Sequence, residues 1–132
     1  MKTTKASIQL LGAFLLVSAI LVTPGCFIVV AGAAGAGTVA YVRGELDATL
    51  DKPLDAVAAA ADDAIAQLQF AKISESKDAF TADLIARTAE DKKIEIKITK
   101  KGDGVSGVAI RIGLFGDEEK SRAILDKINA NL

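Results

Sequence analysis

Residues 93–112 read KIEIKITKKGDGVSGVAIRI, and this stretch decides the fold. In its first half isoleucine alternates with charged or hydroxyl side chains, at Ile94, Ile96 and Ile98. Period-two alternation indicates a strand that buries one face. A tight turn is predicted at residues 101–104, because Gly and Asp accept positive φ. The alternation resumes beyond the turn at Val108, Ile110 and Ile112, so we expect the second strand to pair antiparallel with the first.

Working outward toward the N-terminus, residues 42–50 also alternate, which predicts another half-buried strand. Asp51 then offers an N-cap and Pro53 suits the first turn of a helix. Apolar residues recur at spacings of three and four up to about Gln69, as expected for an amphipathic helix. They are Leu54, Val57, Ala58, Ala61, Ile65 and Leu68.

Two further strands are predicted between that helix and the isoleucine stretch. The first covers about residues 70–76, and the second alternates over residues 80–87. A polar turn at residues 90–93 leads into the isoleucine stretch. After it, Gly116-Asp117 opens a final helix whose first turn is acidic, which favours the helix dipole. The apolar stripe of this helix comprises Ile124, Leu125, Ile128 and Leu132.

The predicted element order is β-α-β-β-β-β-α. Strands that are apolar on one side need a cover, and two amphipathic helices are available to provide it. We therefore expect an α+β domain over residues 42–132, with two layers: an antiparallel sheet and two helices on one face. An N-terminal signal or anchor helix is expected to precede this domain.

Charge divides the chain sharply. Residues 6–42 contain no Lys, Arg, Asp or Glu, whereas residues 44–132 carry 13 basic and 17 acidic side chains, a net charge of 13 − 17 = −4. An acidic domain is a poor candidate for nucleic-acid binding, which needs a concentrated basic face. The densest basic cluster lies in residues 92–101 and is interleaved with acidic residues, which favours a solvated strand face.

The first 25 residues have the parts of a secretory signal. Lys2 and Lys5 precede an uncharged apolar run over residues 6–22, and Gly25-Cys26 follows a helix-interrupting Pro24. An uncleaved transmembrane helix is an alternative, because a run of this length can span a bilayer. Ordinary cleavage after residues 31–33 is another. Cys26 is the only cysteine, so it has no disulfide partner within the chain.

This arrangement resembles the signal of bacterial lipoproteins, in which a small residue followed by Cys is cleaved and the Cys becomes the acylated N-terminus. The resemblance implies signal cleavage between Gly25 and Cys26 and lipidation of Cys26. Several acyl chains give stable membrane anchoring. In lipoproteins of Gram-negative bacteria an Asp after the Cys favours retention in the inner membrane. Phe27 stands there instead, so we expect an outer-membrane location facing the periplasm.

Residues 26–41 are apolar and rich in Gly and Ala, and two interpretations remain open. Gly32, Gly35 and Gly37 lie among alanines, and small residues of this kind let helices approach closely in a membrane. Self-association through these glycines is then expected. The other interpretation is a flexible tether between the anchor and the domain.

The sequence offers no recognisable catalytic or cofactor-binding motif. It contains no His, and its one Cys belongs to the predicted anchor, so no cofactor or metal is expected. The adjacent acidic pairs Asp62-Asp63 and Glu118-Glu119 are predicted to be solvated, because helical neighbours point about 100° apart. Arg111 could bind an anion, although a cross-strand pair with Glu95 is the expected arrangement. A hydrolase that uses carboxylates alone is the alternative of a different class.

Three segments, residues 41–50, 115–118 and 121–125, resemble an uncharacterised family of short bacterial lipoproteins. The resemblance implies a small periplasmic α+β domain on a lipidated cysteine and supplies no functional residue. The expected function is therefore non-enzymatic, a binding or scaffolding role for an envelope protein partner, with no nucleic acid involved.

Overall fold

The chain forms six antiparallel strands in the computed structural model, which describes residues 36–132. The strands are β1 Ala36–Val42, β2 Glu45–Leu50, β3 Ala71–Lys77, β4 Thr81–Arg87, β5 Lys93–Gly102 and β6 Val105–Ile112. The helices are α1 Leu54–Gln67 and α2 Glu118–Asn131. The strands form one sheet in the order β1-β2-β6-β5-β4-β3.

The core lies between one face of this sheet and both helices. The isoleucine alternation is confirmed, since Ile96 pairs with Ile110 across β5 and β6 and both side chains are buried. Helix α1 covers mainly β4 and β5, α2 covers β2 and β6, and the two helices also pack on each other. The predicted two-layer α+β fold, with two helices on one face, is confirmed.

A hairpin replaces the single strand predicted over residues 42–50. Arg43 and Gly44 have φ of +53° and +84°, the signs that a two-residue type I′ turn requires. Val42 pairs with Glu45 across this turn, which inverts the inward and outward order of the preceding residues. Val42 is therefore exposed, and Tyr41 takes the place opposite Leu46. The described chain has one strand more than predicted, in the order β-β-α-β-β-β-β-α.

The first residues of the two helices are capped differently. Asp51 is not the N-cap of α1: Pro53 occupies that position, and no side chain caps the helix. Pro53 has an extended ψ of 154°, so the helix begins at Leu54, two residues later than an N-cap at Asp51 predicts. Asp117 does cap α2, because its carboxylate accepts a hydrogen bond from the backbone N–H of Lys120 at 3.1 Å.

Most of the predicted N-terminal features lie outside the described residues. These features are the signal over residues 1–25, the Gly25–Cys26 cleavage site, Cys26 lipidation, and Gly32 and Gly35. Of the 26–41 segment, residues 36–41 belong to β1, so Gly37 lies in a strand rather than in the membrane-associated helix we considered. No helix within residues 36–132 is long and apolar enough to cross a membrane.

Candidate functional site

The connection between β6 and α2 forms a short projecting loop, residues 113–116, which we call the tip loop. Its sequence is GLFG, and both glycines have positive φ, +67° at Gly113 and +83° at Gly116. Side chains rarely adopt such φ values, so the two glycines allow the chain to reverse over four residues. Leu114 and Phe115 are thereby placed at the end of the sheet.

Contacts on both sides fix the backbone of the tip loop. The backbone N–H of Gly113 donates to the carbonyl of Lys93 at 2.8 Å, and the Arg111 guanidinium donates to the carbonyl of Leu114 at 3.1 Å. On the other side, the Phe115 carbonyl packs on Gly44, so closely that a Cβ at Gly44 would lie 2.5 Å from its oxygen. The loop is therefore held to β5, to β6 and to the β1–β2 turn.

The two large side chains on this fixed backbone are almost fully exposed. Leu114 is 84 % exposed and Phe115 is 92 % exposed, the highest values among the exposed large hydrophobic residues of the described chain. Single exposed apolar residues are common on protein surfaces. Two adjacent ones at a projecting turn, on a backbone fixed by hydrogen bonds, form a candidate binding surface.

A concavity of about 680 Å³ lies beside the tip loop and has a basic lining. Four basic side chains contribute to it, Arg87, Lys92, Lys93 and Arg111, against two acidic ones, Asp91 and Glu95. This local net charge of +2 contrasts with the net charge of −4 over residues 44–132. The concavity beside the tip loop thus has a basic lining in an otherwise acidic domain.

Ion pairs hold part of this basic lining in place. Arg87 contacts the Asp91 carboxylate at 2.8 Å, and Lys93 contacts Glu95 at 2.6 Å. Lys92 lies farther from its partner, 3.9 Å from the Asp117 carboxylate, and its side chain is half exposed. Exposed pairs of this kind contribute little to stability. Their cations therefore remain accessible to a competing anion, Lys92 most of all.

Three carboxyl groups in the described chain have a pKa below the ordinary range, and local hydrogen bonds explain each. The N–H of Lys120 lowers the pKa of Asp117, and the Thr88 hydroxyl lowers the pKa of Glu90. The N–H groups of Phe80 and Thr81 lower the pKa of Asp78 in its turn. A general acid at neutral pH needs a raised carboxyl pKa, so these shifts indicate capping and turn formation rather than acid catalysis.

The candidate residues from the sequence are dispersed over the surface. Arg111 does lie directly opposite Glu95, as the alternation predicted, but its guanidinium bonds the Leu114 carbonyl, while Glu95 pairs with Lys93. In the acidic pairs, Asp62 bonds Lys72 and Glu118 bonds Arg122. No group of three acidic or cysteine side chains within residues 36–132 is placed to hold a metal ion.

The face of the sheet opposite the helices is open and carries two further cavities, of about 220 and 390 Å³. On it, Glu45 and Glu95 flank Arg111 from the two neighbouring strands. Strands lie about 4.8 Å apart, so these carboxylates are about 10 Å from each other at the backbone, with an arginine between them. The Arg111 guanidinium donates to the Leu114 carbonyl, and all three side chains contribute to the lining of the 390 Å³ cavity.

Comparison with known proteins identifies a family whose function is unknown. The family model described as a protein of unknown function, DUF3568, matches residues 9–131. The chain belongs to the DUF3568 family. The uncharacterised family expected from the resemblance is thus confirmed at this level. No curated protein matches this DUF3568 chain.

Sequence reasoning missed the tip loop as a site on this DUF3568 domain. Leu114 and Phe115 are ordinary core residues by type, and their exposure comes from the turn geometry at Gly113 and Gly116. One signal was available: both residues fall between the end of the β6 alternation at Ile112 and the start of the α2 stripe, so neither pattern includes them.

Proposed function

We propose that this chain is a lipid-anchored protein of the bacterial envelope with a non-enzymatic binding role. Acyl chains on Cys26 hold it at the membrane, and the tip loop contacts the bound component. The anchor is supported by the basic start, the uncharged run over residues 6–22 and Gly25-Cys26. Phe27 after the cysteine supports an outer-membrane location facing the periplasm.

The exposed pair Leu114 and Phe115 is the observation that carries the binding role. Burying a Leu or Phe side chain stabilises a protein by about 1.5–3 kcal/mol, yet both side chains stay in solvent in the chain by itself. The Arg111 guanidinium donates to the Leu114 carbonyl and so helps to hold the loop in this projecting position. A binding partner that covers both side chains would be stabilised by the free energy of their burial, which folding of the chain does not provide.

Mass spectrometry of the chain purified from membranes in detergent tests the anchor. We expect a mature chain that begins at Cys26 and has the added mass of a lipidated cysteine, and we expect Cys26→Ala to abolish the modification. A free Cys26 thiol in the purified chain contradicts the lipoprotein proposal. Separation of inner and outer membranes then tests the location.

Photocrosslinking in living cells tests the binding role of the tip loop. A photoreactive amino acid replaces Leu114 in one strain and Ala123, an exposed residue of α2, in a control strain. We expect a protein or lipid adduct from position 114, identified by its mass, that position 123 does not give. Equal yields at both positions, or no adduct at position 114, would contradict a binding role for the tip loop.

A further inference from the structure

The tip loop projects from the end of the sheet and forms one side of the basic concavity. Leu114 and Phe115 nevertheless remain almost fully exposed on a backbone that is fixed at Gly113 and Gly116. Projecting apolar side chains need a soft or pitted surface to enter. The headgroup region of a bilayer accepts such side chains without a shaped pocket, as it does for the apolar residues of interfacial proteins.

Charge favours an anionic surface as the occupant. Arg87, Lys92 and Lys93 border the tip loop at the end of a domain that is otherwise acidic. Lys and Arg close to a membrane are attracted to anionic lipids, whereas an acidic surface is repelled. The apolar side chains and the cations therefore select the same orientation, with this end of the sheet toward the lipid.

The chain between Cys26 and Ala36 is long enough for that orientation. Ten residue steps can span up to about 35 Å when the chain is extended. Ala36 starts β1, and the tip loop lies at the other end of that strand, where Val42 leads into the β1–β2 turn. Six strand steps cover about 20 Å, so an anchor at Cys26 leaves the tip loop within reach of the same bilayer.

We propose that the tip loop is a second membrane contact, in which Leu114 and Phe115 enter the headgroup region of an anionic phospholipid bilayer and Lys92 and Lys93 meet lipid phosphates. This inference rests on the proposed anchor and binding role, and it names the occupant of the tip loop. The lipid at Cys26 brings the domain to the surface, and the tip loop then sets how the domain lies on it.

Tryptophan fluorescence tests the contact, because the chain has no Trp of its own. The full acylated chain with Phe115→Trp is reconstituted in vesicles of phosphatidylcholine alone or with 30 % phosphatidylglycerol, each with the same share of brominated phosphatidylcholine as quencher. Phe80→Trp is the matched control, because Phe80 is an exposed phenylalanine at the opposite end of the sheet. Circular dichroism verifies that each variant is folded.

We expect quenching of Phe115→Trp in the anionic vesicles to exceed that in phosphatidylcholine, and that of Phe80→Trp, by about threefold or more. Adding Lys92→Glu and Lys93→Glu should reduce it to the phosphatidylcholine level. Equal quenching in both vesicle types, or quenching no greater than that of Phe80→Trp, would overturn the proposal.

Flotation and mass measurement on the same samples separate this failure from a failure of the proposed function. If the chain carries acyl groups and floats with the vesicles but shows no excess quenching at position 115, the proposed lipid contact of the tip loop is wrong. The proposed anchor at Cys26 is then still supported. A discrete protein adduct at position 114 in cells, together with such a result, would keep the binding role and assign the tip loop to a protein.

Discussion

Gly44 and Gly116 pack backbone against backbone, so that the β1–β2 turn and the tip loop meet with no side chain between them. A Cβ at Gly116 would overlap the backbone of Gly44 and the Tyr41 hydroxyl, and one at Gly44 would lie 2.5 Å from the Phe115 carbonyl oxygen. This contact joins the N-terminal hairpin to the loop that displays Leu114 and Phe115.

Replacing Gly44 by Ala should therefore destabilise the chain in two ways. Positive φ costs a residue with a side chain about 1–2 kcal/mol, and the backbone overlap adds about 1–3 kcal/mol. Gly104→Ala is the matched control, since Gly104 has φ of +74° and nothing within 4 Å of a Cβ. In urea unfolding, Gly44→Ala should lose at least about 1 kcal/mol more than Gly104→Ala. Equal losses would mean that the close contact has no energetic weight.

Ser121 offers a substitution that should stabilise the chain. Its side chain is fully buried in α2, and its hydroxyl has no hydrogen-bond partner among the described residues. Ser121→Ala should raise the free energy of unfolding by about 1 kcal/mol, because it removes an unsatisfied polar group and improves helix propensity.

Ser106→Ala is the control for that prediction. Ser106 is equally buried, but its hydroxyl donates to the carbonyl of Lys52 at 2.8 Å. Its loss should lower the free energy of unfolding by about 1 kcal/mol, since the bond disappears and a carbonyl loses its partner. Changes of the same sign in the two variants would contradict the hydrogen-bond assignment.

Asp117 should contribute to stability through its cap and should do so in a pH-dependent way. Asp117→Ala should lose about 1 kcal/mol at pH 7, whereas Asp117→Asn keeps the cap. Because folding lowers the pKa of Asp117 below its ordinary value of 3.8, the charged carboxylate stabilises the fold fully above that pH. The contribution disappears as the pH falls through the lower pKa of the folded state.

Unfolding midpoints measured from pH 6 down to pH 2 check this linkage. The difference between the wild-type chain and Asp117→Asn should be constant above about pH 5 and should shrink below pH 4. A difference that grows with acidity would mean that folding raises the pKa of Asp117.

The two faces of the sheet should differ in their sensitivity to truncation. Ile96→Ala should destabilise the chain by about 2–5 kcal/mol, because Ile96 is fully buried between the sheet and the helices. Ile85→Ala, on the open face of the neighbouring strand, should lose only about 1 kcal/mol. Similar losses of unfolding free energy at both positions would indicate that the Ile85 side chain is also buried in solution.

The fold was predictable where a pattern belonged to one element, and it was missed where a turn broke the pattern. Ile94, Ile96 and Ile98 alternate within one strand, so their common face follows from strand geometry alone. Residues 41–50 also alternate, yet Arg43-Gly44 reverses the chain within them. Arg-Gly is not a strong hairpin signal, because Arg enters the left-handed region only when its surroundings hold it there.

The candidate site was less predictable for a related reason. Its apolar part depends on the exposure of Leu114 and Phe115, and the residue types Leu and Phe alone do not predict exposure. Its basic part brings together Arg87, Lys92 and Arg111, whose proximity depends on the pairing of β4, β5 and β6. Cross-strand register could be anticipated from the β5–β6 turn, as the pairing of Glu95 with Arg111 shows.

The position of β1 determines how mechanical load would enter the domain. Tension on the chain that precedes Ala36 acts first on a strand at the sheet edge, held by β2 on one side only among the described residues. The β1–β2 pairing is irregular between Ala36 and Val39, so a sideways pull would peel the strand from that end, one hydrogen bond after another. Because Val39 and Tyr41 pack against the core, peeling of β1 would uncover part of it, while β2 would stay paired with β6.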